Sequence, residues 1–134
     1  MTKLTEVEGI GETYAQKLAD AGIATTEALL DKGATPQGRK AIAEATDISG
    51  TLILKWVNRV DLFRVKGIGE EYADLLEVAG VDTVPELAQR NGANLYQKIK
   101  EVNAAKKLVR RLPGQSQVEG WVAVAKLLPR VITY

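Results

Sequence analysis

The chain has 134 residues, of which 46% are hydrophobic and 26% charged, a balance typical of a folded globular protein and not of a disordered one. It contains neither cysteine nor histidine, which excludes disulfides, thiolate chemistry, histidine-based catalytic triads and the commonest zinc ligands. No apolar stretch is long enough to span a bilayer, and the first residues lack the apolar core of a signal peptide, so we expect a cytoplasmic protein with no membrane partner.

Charge is divided unevenly along the chain. Residues 1–88 carry 9 lysines and arginines against 15 acidic residues, a net charge of −6. Residues 89–134 carry 9 against 2, a net charge of +7. This division predicts either a basic surface for an anionic partner or attraction between the two ends of the chain.

A segment near the N-terminus recurs 58 residues later. The stretch VEGIGETYA, beginning at Val7, returns as VKGIGEEYA, beginning at Val65, and 12 of 24 positions are identical between residues 7–30 and 65–88. This degree of identity indicates an internal duplication. Trp56 then corresponds to Trp121 at a spacing of 65, which places an insertion in the second copy around residues 103–112.

Local signals place the first helices of each copy. A helix should begin at Gly11 and again at Gly69. Gly22 and Gly80 are suited to end these helices, because glycine readily adopts the left-handed C-cap conformation. In the second copy, Thr83 begins a capping box that starts the next helix.

The same signals continue to the end of the unit. Pro36 after Thr35 starts a third helix, and Ser49 can cap a fourth. No segment alternates with the period of a strand, so we predict an all-α fold with about four short helices in each copy. We assign residues 1–62 to copy one and residues 63–134 to copy two. We expect them to pack as one compact body, because almost no linker separates them.

Aromatic residues occupy matching positions in the two copies. Trp56 and Trp121 lie within apolar stripes and are predicted to be core residues. Tyr14 and Tyr72 are predicted to point into the core as well, with hydroxyls that can reach a partner at its edge.

The motif Val-x-Gly-Ile-Gly followed by x-x-Tyr-Ala-x-x-Leu resembles the helix-hairpin-helix signature, in which a Gly-hydrophobic-Gly hairpin joins two short helices. The full layout, through Pro113 to the Trp-Val pair at Trp121, is similar to an uncharacterised bacterial family of the domain-of-unknown-function type. Members of that family are sometimes labelled as resembling the helix-hairpin-helix part of flap endonucleases. The resemblance implies two tandem helix-hairpin-helix repeats, with backbone N–H groups of the hairpin facing a DNA phosphate. The helix dipole would favour an anion at the same place.

We refer to residues 9–11 as turn one and to residues 67–69 as turn two. Glu8 and Glu12 flank turn one, and such carboxylates satisfy the helix dipole and repel phosphate, which favours a structural role. Glu70 and Glu71 favour the same role for turn two. Lys66 is a favourable cation beside turn two, so phosphate binding stays open there.

Residues 98–111 include six basic residues, and Glu101 is the only acidic residue among them. If residues 105–112 are helical, these side chains form a ridge that can follow phosphates. The alternative is a solvated helix face that pairs with the acidic copy. Together with turn two, this segment supplies the predicted nucleic-acid-binding residues, which are Lys66, Gly67, Ile68, Gly69, Lys98, Lys100, Lys106, Lys107, Arg110 and Arg111.

The acidic residues are scattered singly, whereas a nuclease would need a cluster of carboxylates to hold two metal ions. We therefore predict no enzyme, no catalytic residue, no metal and no cofactor. The predicted function is a non-catalytic module that binds nucleic acid through phosphate contacts, without reading the base sequence. The alternative is a protein–protein interaction or scaffolding module in which the hairpins only build the core.

Overall fold

The structure, a computed structural model, describes residues 3–134. Within these residues the chain forms eight α-helices and one short 3-10 helix, Leu4–Glu6. The only extended pairing in this part of the chain is an isolated bridge between Lys3 and Thr25. The prediction of an all-α fold is confirmed. The helices are α1 (Glu12–Asp20), α2 (Thr26–Gly33), α3 (Pro36–Thr46), α4 (Gly50–Leu62), α5 (Glu70–Val78), α6 (Val84–Ala88), α7 (Gly92–Lys106) and α8 (Gln115–Leu127).

The chain divides into two compact units. Unit one contains residues 3–61 and the C-terminal segment Val131–Tyr134, and unit two contains Leu62–Arg130. The main division lies within one residue of the boundary that the sequence predicts. The last four residues differ, because we assigned them to copy two and they pack in unit one. That the two copies form one body stays a prediction.

The helices of the repeated sequence have matching bounds. α1 and α5 are each nine residues long, and each begins directly after the second glycine of its turn. Each is followed by a glycine of positive φ, 88° at Gly22 and 98° at Gly80. In both units the next residue donates its N–H to the carbonyl five positions earlier, at 2.8 Å. The predicted C-caps are therefore confirmed, and they form the Schellman pattern.

Hydroxyl residues begin α2, α3, α4 and α6, as the sequence predicts at Thr35, Ser49 and Thr83. The hydroxyl oxygens of Thr25 and Thr83 each accept the N–H three residues on, at 3.1 Å. Thr35 does the same at the start of α3, at 3.0 Å, and Ser49 accepts the N–H of Thr51 at the start of α4, at 3.2 Å. These bonds satisfy helix N–H groups that have no partner within the helix.

The start of α6 also carries a pair of carboxyl groups, which makes a pH-dependent prediction possible. The pKa of Glu86 is raised, first because its carboxyl shares a hydrogen bond with that of Asp82 and second because of burial. A raised folded-state pKa stabilises the fold at low pH, and this contribution is lost as the pH rises through the folded pKa. We expect Asp82→Asn to lower the pKa of Glu86 toward its ordinary value in a carbon-13 NMR titration. An unchanged pKa would contradict the shared hydrogen bond.

The C-terminal segment is an integral part of unit one. Ile132 is buried, with 2% of its surface exposed. The N–H of Thr133 donates to the carbonyl of Ala34, between α2 and α3, at 2.8 Å. The segment thus covers the junction of these two helices.

Side chains of unit one complete this attachment. Arg39, itself buried, donates to the carbonyls of Gly33 at 2.9 Å and Thr133 at 2.8 Å. The hydroxyl of Tyr134 donates to Asn58 Oδ1 in α4, at 2.7 Å. The segment therefore lies along a groove between the α2–α3 junction and α4.

Candidate nucleic-acid interface

The first glycine of each turn is required by the fold. Gly9 has a φ of 92° and Gly67 a φ of 96°, which side chains of L residues rarely adopt. A β-carbon on Gly67 would also lie 3.1 Å from the indole nitrogen of Trp121. Ile68 is buried, with 4% of its surface exposed. It anchors turn two in the core, so it positions the backbone and does not itself present a surface to a ligand.

The second glycine stands in different surroundings. Gly69 has extended backbone angles, φ −104° and ψ −164°, which other residues also adopt. A β-carbon there would meet nothing within 4 Å, and the same is true at Gly11. No side chain caps the N-terminus of α5. The packing of the chain gives no reason for glycine at this position, whereas the close approach of a ligand to the backbone would give one.

Tyr72 connects turn two to the inserted segment. Its ring packs against Trp121 with centroids 5.3 Å apart, as Tyr14 packs against Trp56 at 5.1 Å in unit one. The tryptophans are 1% and 3% exposed, so their prediction as core residues is confirmed. The hydroxyl of Tyr72 donates to the carbonyl of Arg111 at 3.0 Å. This bond brings Arg111 to the first turn of α5.

The inserted segment is a loop. α7 ends at Lys106, Lys107 follows with a left-handed φ of 52°, and residues 107–114 contain no helix. We call residues 107–114 the basic loop. Residues 107–112 are therefore not helical, so the condition for a continuous ridge of basic side chains on a helix over residues 105–112 is not met.

Asn103 explains why the helix stops. Its side-chain oxygen accepts the N–H of Val109 at 3.0 Å, and its Nδ2 donates to the carbonyl of the same residue at 3.2 Å. This clamp satisfies backbone groups outside the helix, and Val109 is buried at 7% exposure. We did not single out Asn103 from the sequence. The sequence signal for Asn103 is its amide side chain, which lies one turn after the buried Ile99 and therefore on the inward side of α7.

Lys98 and Lys100 do not share a surface. Both are exposed on α7, but they are two residues apart, which is about 200° around a helix of 3.6 residues per turn. The ammonium of Lys100 lies 5.5 Å from the ring centroid of Tyr96. The predicted site therefore cannot use both lysines on one face, and the remaining members are those of turn two and the basic loop.

Four exposed basic residues lie at the last residue of α7 and in the basic loop. Within residues 3–134, none of their side chains is engaged in a hydrogen bond or ion pair. Lys66 beside turn two is exposed in the same way. These cations are available to an anionic ligand. The four residues are Lys106 at the end of α7 and Lys107, Arg110 and Arg111 in the basic loop.

Gln117, in the first turn of α8, is a further neighbour of turn two. Its Nε2 lies 3.7 Å from the place that a β-carbon on Gly67 would occupy. With the tryptophans aligned, the matching residue of unit one is Leu52. This difference, a polar residue in copy two and an apolar one in copy one, is the sequence signal for a polar neighbour of turn two.

Acidic side chains lie close to both turns. At turn two Glu71 is exposed, whereas Glu70 is half-buried and already interacts within the protein. At turn one Glu8 and Glu12 are both exposed, and the connection between α3 and α4, residues 47–49, brings no basic residue. The surroundings of turn one therefore favour phosphate much less than those of turn two.

In the part of the chain that the structure describes, no group of three acidic side chains could hold a metal ion. No helix in that part combines the length and the apolar character needed to cross a bilayer.

One protein-family model, described as "Domain of unknown function (DUF4332)", matches residues 8–128. The predicted resemblance to a family of this type is confirmed at that level. Neither the curated proteins nor the solved structures contain a match to this chain.

Proposed function

We propose that this chain, which belongs to the domain-of-unknown-function family DUF4332, is a non-catalytic module of two tandem helix-hairpin-helix repeats whose unit two binds nucleic acid through phosphates. Support for the repeats comes from the equal lengths of α1 and α5 and from the shared positive φ of Gly9 and Gly67. The observation that carries the binding proposal is the hydrogen bond from Tyr72 to the carbonyl of Arg111. It ties the basic loop to the uncapped N-terminus of α5.

The phosphate contact starts from the backbone at turn two. The first N–H groups of a helix have no intrahelical acceptors, and the helix dipole adds positive potential at the same end. Open space in front of Gly69 lets an anionic oxygen approach closely. Lys66 precedes the turn, and the backbone of Arg111 is held at the first turn of α5 by Tyr72. Two exposed basic residues are therefore attached close to the N-terminus of α5, one through the chain and one through this bond.

Charge supports unit two over unit one as the binding unit. Unit two contains 11 lysines and arginines against 8 acidic residues, a net charge of +3. Unit one contains 7 against 9, a net charge of −2. Long-range attraction of a polyanion is therefore directed to unit two.

The same residues favour binding that does not depend on base sequence. Arginine, lysine and backbone N–H groups contact phosphates equally well in any sequence. The aromatic ring nearest the site, Tyr72, is half-buried against Trp121 and offers no face on which bases could stack.

A salt titration tests this function. Four phosphate contacts, from Lys66, Lys107, Arg110 and Arg111, predict a slope of about −3.6 for log K against log salt concentration on duplex DNA. The measurement is the fluorescence anisotropy of a labelled duplex, repeated with a second duplex of unrelated sequence and with single-stranded DNA. We expect the two duplexes to bind equally. No binding at low salt, or a slope near zero, would remove the proposal.

A further inference from the structure

In unit one, the C-terminal segment fills a groove between two elements. One wall is the α2–α3 junction, where Thr133 binds the carbonyl of Ala34, and the other is α4, where Tyr134 binds Asn58. Ile132 is buried in this groove. The groove therefore holds an extended segment through one apolar side chain and several hydrogen bonds.

Unit two contains the counterpart of this groove, between the α6–α7 junction and α8. α8 and α4 are both 13 residues long, and aligning Trp121 with Trp56 sets Ala123 at the position of Asn58. The counterpart is an open groove of about 520 Å³ that no part of the described chain fills. Its lining residues are Arg90, Asn91, Gly92, Glu119, Val122, Ala123, Lys126 and Leu127.

The two grooves are built in the same way. In unit one the end of α2 lies directly against α4, since a β-carbon on Gly33 would come within 2.6 Å of Val57. In unit two the start of α7 lies directly against α8, since a β-carbon on Gly92 would lie 2.9 Å from the Cα of Glu119. Each groove is therefore a surface depression beside a close contact between a helix junction and the last helix of the unit.

Apolar residues at the edge of the open groove are exposed to solvent. Leu127 is 85% exposed, the largest value among the exposed large hydrophobic residues of the described chain. Ala123, one turn earlier on α8, is also exposed and lines the same groove. An apolar side chain placed there would be removed from water together with Leu127, as Ile132 is in unit one.

The polar residues around the open groove differ from those of unit one. Thr35 and Asn91 are the N-caps of α3 and α7. Arg39 lies four residues after Thr35, and the residue four after Asn91 is Leu95, whose side chain cannot donate a hydrogen bond to a peptide carbonyl. Ala123 likewise lacks the acceptor that Asn58 provides. The C-terminal segment of a second copy would therefore lose the hydrogen bonds that hold it in unit one.

Two basic residues line the open groove at other positions. Lys126 stands where unit one has Asp61, and Arg90 lies at the helix junction, against a single carboxylate at Glu119. We propose that this groove binds an extended peptide segment of another protein, with an apolar side chain that packs beside Leu127 and acidic residues that pair with Lys126 and Arg90. The interaction lies outside the nucleic-acid site proposed above.

Two synthetic peptides test this proposal on the full chain. The first probe is a fluorescent Glu-Val-Ile-Asp-Tyr-Glu peptide, and the second is Lys-Val-Ile-Lys-Tyr-Lys, which keeps the apolar residues and reverses the charge. We expect the acidic probe to bind and the basic probe not to bind in anisotropy titrations. Lys126→Glu should weaken binding of the acidic probe by about tenfold or more, because an attraction becomes a repulsion.

Lys40→Glu is the matched control, since it makes the same charge change on the exposed surface of α3 in unit one. It should leave the affinity for the acidic probe unchanged, and equal melting temperatures of the two variants would exclude a folding effect. Equal binding of both probes, or equal losses in the two variants, would overturn the proposal. So would a dimer in sedimentation velocity that Ala123→Arg dissociates, because the occupant would then be a second copy.

Discussion

The double variant Arg110→Glu/Arg111→Glu is expected to bind duplex DNA about 100-fold more weakly than the wild type at low salt. A charge within about 4 Å of a phosphate contributes about 1 kcal/mol of binding energy in water. Changing two arginines to glutamates replaces two attractions by two repulsions, which changes the binding energy by about 4 kcal/mol. Salt and incomplete contact reduce the resulting ~4 kcal/mol, and a 100-fold loss corresponds to about 2.7 kcal/mol. Both side chains are exposed, so the fold should persist. Anisotropy titrations of one labelled duplex measure the difference.

Lys17→Glu/Lys40→Glu is the matched control for this pair. It changes the net charge by the same amount, on exposed positions of α1 and α3 in unit one. Because those positions lie outside the proposed site, the control should lose less than about threefold in affinity. Equal losses in the two double variants would mean that DNA responds only to net charge, and the basic loop would not be the binding site.

The second large effect is expected from Gly67→Val. A β-branched residue at a φ of 96° costs about 1–3 kcal/mol in backbone strain, and its β-carbon would press on Trp121 at a further cost of about 1–3 kcal/mol. The free energy of unfolding should fall by about 2–6 kcal/mol, a large part of the total for a small protein. The measurement is the urea midpoint followed by circular dichroism. A midpoint equal to that of the wild type would contradict the role of this glycine in the fold.

Gly69→Ala separates stability from binding within the same turn. Its backbone is extended and its β-carbon would meet no atom within 4 Å, so the free energy of unfolding should change by less than about 0.5 kcal/mol. The methyl group would occupy the open space in front of α5, so we expect weaker DNA binding. A stable variant with wild-type affinity would mean that the backbone of turn two does not contact phosphate, even if the basic loop does.

The helices could be predicted because their signals are local. Glycines that end α1 and α5, hydroxyl residues that cap the later helices, and apolar residues at helical spacing act within one or two turns of the chain. The burial of Trp56 and Trp121 followed from the same spacing. The duplication repeated the assignment of the first helix and of its terminal glycine in both copies, so an error in one copy would have conflicted with the other.

The arrangement of the basic residues could not be predicted in this way. The sequence located Lys106 to Arg111 but suggested a helix, because four closely spaced cations fit a helical face as well as a loop. What stops the helix is the clamp of Asn103 on Val109, six positions away. What brings the loop to turn two is the bond between Tyr72 and Arg111, 39 positions apart.

By itself, the sequence determined the helical class, the duplication, both ends of α1 and α5, the starts of α3, α4 and α6, and the identities of the cations, because all of these depend on neighbours along the chain. Tertiary structure alone decided that the backbone of Arg111 is held at the first turn of α5, and that Lys98 and Lys100 diverge on α7. It also decided that Thr133 returns to Ala34, 99 positions earlier, while the matching groove of unit two stays open. Contacts of this range depend on which surfaces the packed helices leave exposed, and no periodicity or capping signal encodes that.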